Sequence, residues 1–244
     1  MSTKSKVLFL DIETSPNLAY VWGKWQQDVI AYKEEWQILS YAYKWQGTSK
    51  ISCTSQRTLG STSDKEVVKS LWKLLNSADI VIAHNGDVFD LKKANARFLF
   101  YKLPPTRKYA SIDTLKIVRK YSKFNSNKLN DLAEHLGLVG KLKHPGFAMW
   151  LGCMAGEVKS WTLMEKYNKR DVYVLEELYL WLRPWIERHP SIALIEGVPG
   201  GCNKCVSSVF TKDGFNYTAT AKKQVWRCSG CGGHKITSCK KERK

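Results

Sequence analysis

Residues 80–96 read IVIAHNGDVFDLKKANA, and the fold turns on how this stretch divides. Ile80, Val81, Ile82 and Ala83 form a short apolar run closed by turn residues, the pattern of a strand buried on both faces. From Val88 the sequence VFDLKKANARFLFYK reads as a helix, stopped by Pro104 and Pro105. A buried strand leading into a helix belongs in an α/β sheet. The join carries two carboxylates three residues apart. Asp87 stands at the expected N-cap, where an aspartate accepts from free N–H groups. Asp90 is then the third helical residue, where an acid suits the positive end of the helix dipole. Helix chemistry thus accounts for both acids. It leaves over one geometric point: Asp90 in a first turn can project back over the end of the preceding strand.

The flanking sequence extends the same architecture. KVLFLDIE (6–13) is apolar until it meets acids and reads as a central strand. QILSYAYKW and KISCTSQ read as two more strands, rich in β-branched and aromatic residues. STSDKEVVKSLWKLLNSA places Val67, Val68, Leu71, Leu74 and Leu75 at helical spacing, with a Ser or Thr as its expected cap. Shorter helices are expected over 113–120 and 128–136, where Asp113 reads as a cap. A connector rich in Gly and Lys is expected over 137–152. The longest helical signal, VKSWTLMEKYNKRDVYVLEELYLWLRPWIERH, is one helix or two. Strands first, then a strand between helices, then helices, imply an α/β sheet with helices on its faces.

The chain has 244 residues, 43% hydrophobic, enough for one core and a small appendage. Lys and Arg number 39 against 22 acids, a net charge of +17. That balance favours a polyanionic partner, nucleic acid before an anionic membrane. No apolar run reaches the roughly 18 residues of a membrane span, and MSTKSKVLFLDIETS is too quickly acidic for a signal peptide. The expected location is the cytoplasm. Most of the ten tryptophans are expected in the core, with one or two near residues 18–25 able to meet a terminal base pair.

Acids recur in settings that ask for a reason. Asp11 and Glu13 are two apart on a strand and share a face. Two such carboxylates repel unless one is protonated or a cation lies between them. The alternative is that the strand has ended and both are solvated. Tyr167 and Asp171 are four apart and share a helix face, which an ordinary amphipathic helix also explains.

Taken in order, Asp-x-Glu on the first strand, HNGDVFD near residue 90 and Tyr-x-x-x-Asp near residue 170 resemble the tyrosine branch of the DEDD 3'–5' exonucleases. The resemblance covers residues 6–183. It implies a ribonuclease H-like mixed β-sheet flanked by α-helices, with Asp11, Glu13, Asp90 and Asp171 as ligands to two Mg2+ or Mn2+ ions. It makes Tyr167 the residue that handles the attacking water. Asp87 is left as a cap, Asn85 falls near the nucleic-acid strand and Phe89 beside the terminal base. The chemistry suits the residues: two hard cations about 4 Å apart clamp the attacking and leaving oxygens and prefer carboxylate oxygen. The family often follows Asp-x-Glu-Thr with Thr-Gly; here Ser15-Pro16 follows, which affects nucleotide contacts rather than metal ligands. The histidine branch of the family uses a histidine base, but His144 lies 27 residues before Asp171 and is read as a loop residue.

Past Gly197 the chain changes character. Residues 200–244 hold ten Lys and Arg against two acids. Cys202-x-x-Cys205 and Cys228-x-x-Cys231, with 22 residues between the pairs, have the spacing of a four-cysteine zinc ribbon with one structural Zn2+. His234 and Cys239 are bystanders. The expected domains are 1–197, the exonuclease, and 198–244, a ribbon with a basic tail. Lys222, Lys223, Arg227, Lys235, Lys240, Lys241, Arg243 and Lys244 make it basic, and Tyr217 and Trp226 are candidates to stack on bases. The expected activity is removal of nucleotides from a 3' end, DNA before RNA, by a monomer with a polymerase or replication complex as a candidate partner. A non-catalytic binding or adaptor protein on the same fold is the alternative, and an exoribonuclease another.

Overall fold

The computed structural model describes residues 4–25, 28–138 and 145–238. In chain order the elements are strands β1 (Val7–Thr14), β2 (Leu18–Tyr20), β3 (Ala31–Glu34), β4 (Ile38–Trp45) and β5 (Ile51–Ser55), helix α1 (Lys65–Asn76), β6 (Ile80–Ala83), α2 (Asp90–Phe100), β7 (Ala110–Asp113), α3 (Thr114–Tyr121), α4 (Leu129–His135), α5 (Ala148–Met154), α6 (Val158–Leu182) and α7 (Ile192–Ile195), then β8 (Phe210–Tyr217), β9 (Lys222–Cys228) and β10 (His234–Ser238). The main sheet has the order β5-β4-β1-β6-β7. β1 pairs antiparallel with β4 and parallel with β6, and β6 pairs parallel with β7.

The central strand shows why the sheet holds. Side chains alternate between faces along a strand. Leu8, Leu10 and Ile12 join a core with Val67, Leu71 and Leu75 of α1 and Ala94 and Phe98 of α2. Val7 and Phe9 enter the opposite core with Val172, Leu175 and Tyr179 of α6. A strand covered on both sides must be apolar at every position until a functional residue intervenes. The row that begins Val7, Phe9 continues as Asp11, Glu13. The alternation of one strand therefore aims both acids at α6.

α6 is a single helix of 25 residues, about 37 Å long. It ends where Pro184 enters a short 3-10 turn. The expected connector over 137–152 is corrected at its end, because Ala148–Met154 is helix α5. Its Met149 and Cys153 bury against Leu39, Trp161 and Met164. Residues 139–144, including His144, lie outside the described residues, as do Cys239, Lys240, Lys241, Arg243 and Lys244.

Two caps differ from expectation. The N-cap of α1 is Asp64 rather than a Ser or Thr, and its side chain makes no capping bond. Its carboxylate instead accepts from Ile38 N at 3.0 Å and from Arg97 Nε at 2.7 Å. Helix α2 begins at Asp90, with Phe89 as N-cap, so Asp87 does not cap it. Asn85 turns the chain with a φ of 65°, and Asp87 is drawn to Lys116 Nζ at 2.6 Å. Asp113 does cap α3, accepting from Leu115 and Lys116, and it also accepts from Asn85 N at 2.9 Å.

The tryptophan expectation holds only in part. Trp161 is buried, but Trp22 (92% exposed), Trp25, Trp181 and Trp185 face solvent. Trp22 and Trp25 follow β2 in the chain.

The C-terminal strands form a separate antiparallel sheet, order β10-β9-β8. The segment before them is tied to the main body. Ile192 N donates to Asn203 O at 2.8 Å, Lys204 Nζ donates to Pro184 O at 2.8 Å, and Asn203 Nδ2 donates to His189 O at 3.2 Å. His189 is buried against the Tyr179 hydroxyl at 2.7 Å.

Candidate active site and cysteine cluster

β1 and α6 bring Asp11, Glu13 and Asp171 together, each offering an oxygen within 4.8 Å of the others. Asp90 reaches the same place from the first turn of α2. Its Oδ1 accepts from Ile12 N at 2.9 Å, so the acid bonds the backbone between Asp11 and Glu13. Asp90 and Asp171 are buried. Three acids from two elements thus converge on the face of β1 that α6 covers, with Asp90 near enough to repel Asp11 and Glu13.

The electrostatics follow from that crowding. Burial first, then repulsion from Glu13, Asp171 and Asp90, pushes the Asp11 carboxyl well above the usual range. Glu13 is pushed up to about 8 by burial and by Asp171 and Asp90. Burial raises Asp90 to about 7 against two backbone hydrogen bonds. Asp171 rises to about 6, again from burial, while hydrogen bonding from Tyr167 lowers it. Its Oδ1 is buried with no hydrogen-bond partner. A buried carboxylate oxygen without a donor, among three more acids, fits a bound hard cation. The residues present therefore suit magnesium or manganese.

These acids take up protons more readily folded than unfolded. Between about pH 4, where unfolded carboxyls titrate, and about pH 8, the value reached by Glu13, the folded chain holds the greater number of protons. Without magnesium or manganese, stability must then fall as pH rises through that window. Thermal melts should drop by about 5 °C or more across it, and saturating divalent cation should reverse the loss at the upper end. A melting temperature that stays flat across the window without metal would contradict the crowding.

Two neighbours that sequence reasoning missed hold the acids in place. Asn168 is fully buried on α6. Its Nδ2 donates to Asp11 Oδ2 and to the Asp11 carbonyl, while its Oδ1 accepts from Ser40 Oγ at 3.1 Å. Trp150, on α5, hydrogen-bonds Glu13, and its ring lies 6.3 Å from that of Tyr167. The asparagine was legible as the residue after Tyr167. The tryptophan sat in a stretch read as connector and carried no signal. Asn168→Ala should weaken manganese binding at the acids about 10- to 100-fold, measured by calorimetry. Unchanged affinity would show that Asp11 needs no positioning.

Tyr167 lies beside Asp171, as helical spacing required. Burial, then the charges of Asp171 and Glu13, pushes its phenol far above the ordinary range, so it keeps its proton at neutral pH. Phe89 is partly exposed next to Asp90, with Lys93 Nζ 5.8 Å from its ring. Asn85 forms the turn after β6, donating to Asp113.

A second cluster unites Cys202, Cys205, Cys228 and Cys231, whose sulfurs all lie within 4.8 Å of one another. Cys202–Cys231 and Cys205–Cys228 are each 3.6 Å apart. Four sulfurs at about 2.3 Å from a tetrahedral metal would stand about 3.8 Å from each other, so the set fits such an ion. Burial raises the Cys228 thiol, but the N–H groups of Cys231 and Gly230 together with the Cys205 and Cys202 thiols hold it at about 7. His234 is not among the four; it pairs with Asp213 at 2.9 Å. Arg227 shares the same carboxylate. Lys222 lies 3.9 Å over the Phe215 ring near exposed Tyr217, whereas the indole of Trp226 is held by Thr237 at 3.0 Å.

The sequence model of the RNase H superfamily matches residues 8–183, the span that builds the sheet and all four acids. The chain belongs to the RNase H superfamily. No curated protein matches it. Among solved structures, the family B DNA polymerase from the hyperthermophilic archaeon Pyrobaculum calidifontis is similar, with a TM-score of 0.56 and 16% identity. The likeness covers 74% of this chain and 25% of the polymerase. At that identity it is a likeness of fold. In this RNase H fold, the antiparallel β1–β4 pair and the parallel β1–β6 pair meet at the strand that carries Asp11 and Glu13.

Proposed function

We propose that this RNase H-fold protein is a metal-dependent 3'–5' exonuclease that hydrolyses phosphodiester bonds in nucleic acid, DNA before RNA. The observation that carries the reading is the convergence of Asp11, Glu13 and Asp171 within 4.8 Å, with Asp90 bonded between the first two. Acids this crowded are costly unless a cation compensates them, and a phosphodiester is an anion that the acids alone would repel. Bound at these carboxylates, divalent cations supply charge for the phosphate and a water of lowered pKa.

The chain's own groups would do the rest. Asn168 and Trp150 fix Asp11 and Glu13. Tyr167, protonated and beside Asp171, orients the attacking water through its hydroxyl rather than acting as a resting base. Phe89, exposed next to Asp90, backs the terminal base. The 3' polarity rests on the order Asp-x-Glu, Phe-Asp and Tyr-x-x-x-Asp, which resembles the tyrosine branch of the DEDD exonucleases. The four cysteines would hold one structural zinc in a ribbon over 198–244, appended to an exonuclease domain over 1–197. Lys222 beside Phe215 and Tyr217 gives the ribbon an exposed cation–aromatic face suited to nucleic acid.

The test is incubation of the pure protein with 5'-labelled and 3'-labelled single strands of DNA and RNA, with magnesium or manganese. A ladder shortening from the 3' end supports the reading. Internal cuts, or release of the 5' label first, would overturn the polarity. Binding without cleavage under every metal would leave an adaptor on the same fold.

A further inference from the structure

We propose that the groove between the C-terminal end of α6 and the four-cysteine unit is a binding track for single-stranded nucleic acid; this rests on the nucleic-acid reading above. The groove has a volume of about 900 Å3. Tyr121, Pro184 and Trp185 form one wall, and Arg227, Lys235 and Ile236 the other. Trp185 is 59% exposed, and its ring lies 6.0 Å from that of Tyr121, tilted by 48°. A projecting indole flanked by cations is the feature on which unpaired bases stack.

The charge of the groove selects a polyanion. Lys204 lies along it, buried, its Nζ on Pro184 O at 2.8 Å. Lys235 Nζ donates to Gly200 O at 2.8 Å and stands 5.2 Å over the Phe210 ring. A carbonyl and a ring orient a cation without cancelling its charge. Arg227 is partly neutralised by Asp213. The acid on the lining, Glu187, is taken by Lys120 at 2.7 Å. Gly200 and Gly232 adopt positive φ, 77° and 71°, so parts of the wall are bare backbone that a phosphate can approach closely.

Its position suits a track to the acids. Asp171 and Pro184 lie on α6 and the turn that continues it. Thirteen residues at about 1.5 Å each place the groove about 20 Å from the acid cluster, a distance that a few nucleotides of extended strand span. The ribbon then does more than add charge, because its docking onto the turn after α6 creates the groove.

The experiment compares the full-length protein with Trp185→Ala, Trp185→Tyr and Lys235→Ala. Binding of a fluorescent single strand of about twelve nucleotides is measured across a salt series, each in an Asp11→Asn background to prevent cleavage. Trp185→Ala should weaken binding about tenfold, and Trp185→Tyr, which keeps a ring, should restore most of it. Lys235→Ala should flatten the salt slope by about one. In the cleaving background, Trp185→Ala should raise KM for the long strand and leave dinucleotide cleavage unchanged. Equal affinity and slope in all variants, with the parent protein still cleaving, would overturn the groove alone. A parent protein that neither binds nor cleaves nucleic acid would overturn the nuclease reading and the groove with it.

Discussion

Replacing Asp11 with asparagine is expected to lower metal-dependent phosphodiester cleavage by about a thousandfold or more while leaving the fold intact. Asp11 stands at the centre of the cluster: Glu13, Asp171 and Asp90 all raise its pKa, after burial. Asparagine keeps the shape and the oxygen that Asn168 Nδ2 reaches, but it removes the charge that a cation needs. The stability signature separates this from simple damage. Taking one negative charge out of a buried acidic cluster relieves repulsion. The metal-free variant should therefore melt at or above the parent temperature at high pH. The gain should fade toward about pH 4, where the acids are protonated in both states. Steady-state cleavage and thermal melts across that range read both effects. A variant that cleaves normally, or that melts lower at high pH, would contradict the role given to Asp11.

Cys228→Ser should abolish metal binding at the second cluster, the zinc site proposed above, and unfold the C-terminal sheet. Over 198–238 the fully buried residues are Cys202, Lys204, Cys228 and Gly233, so β8, β9 and β10 enclose no apolar core of their own. In small metal-stapled units, binding of the ion supplies about 10–16 kcal/mol toward folding. Serine lacks the thiolate, and the Cys228 thiol is held down at about 7. Hydrogen exchange should show lost protection in β8–β10 with protection retained in β1 and β6. The unit also holds the turn after α6 through Lys204 and the segment leading into α7 through Asn203, so the main melting transition should fall by a few degrees. Full protection of β8–β10 without the metal would mean that backbone pairing alone sustains the sheet.

Much of the site was legible because it follows from strand alternation and helix spacing. The parity 7, 9, 11, 13 predicts that Asp11 and Glu13 continue the Val7–Phe9 row, and the spacing 167 to 171 predicts that Tyr167 and Asp171 share a face. Both hold. What was not legible depends on tertiary partners. Asp87 reads as a cap, and Asp64 takes the N-cap place where a Ser or Thr was expected, yet Asp87 answers to Lys116 and Asp64 to Arg97, charges that lie 29 and 33 residues away in sequence. Trp150 reaches Glu13 because α5 packs beside α6, a contact that no local pattern in the Gly-rich stretch announces. Trp181 and Trp185 were expected inside by residue type, along with most of the tryptophans. Hydrophobicity says what a side chain gains by burial, but not whether another element arrives to cover it.

The central claim is that the four carboxylates gather to hold divalent cations. Anomalous diffraction from crystals grown with manganese, above about pH 8, where Glu13 is ionised, tests it most directly. The account requires manganese density seated on Asp11, Glu13, Asp90 and Asp171 in the parent protein, and its loss in Asp11→Asn. Acids that turn apart under those conditions, with manganese nowhere among them, would contradict it.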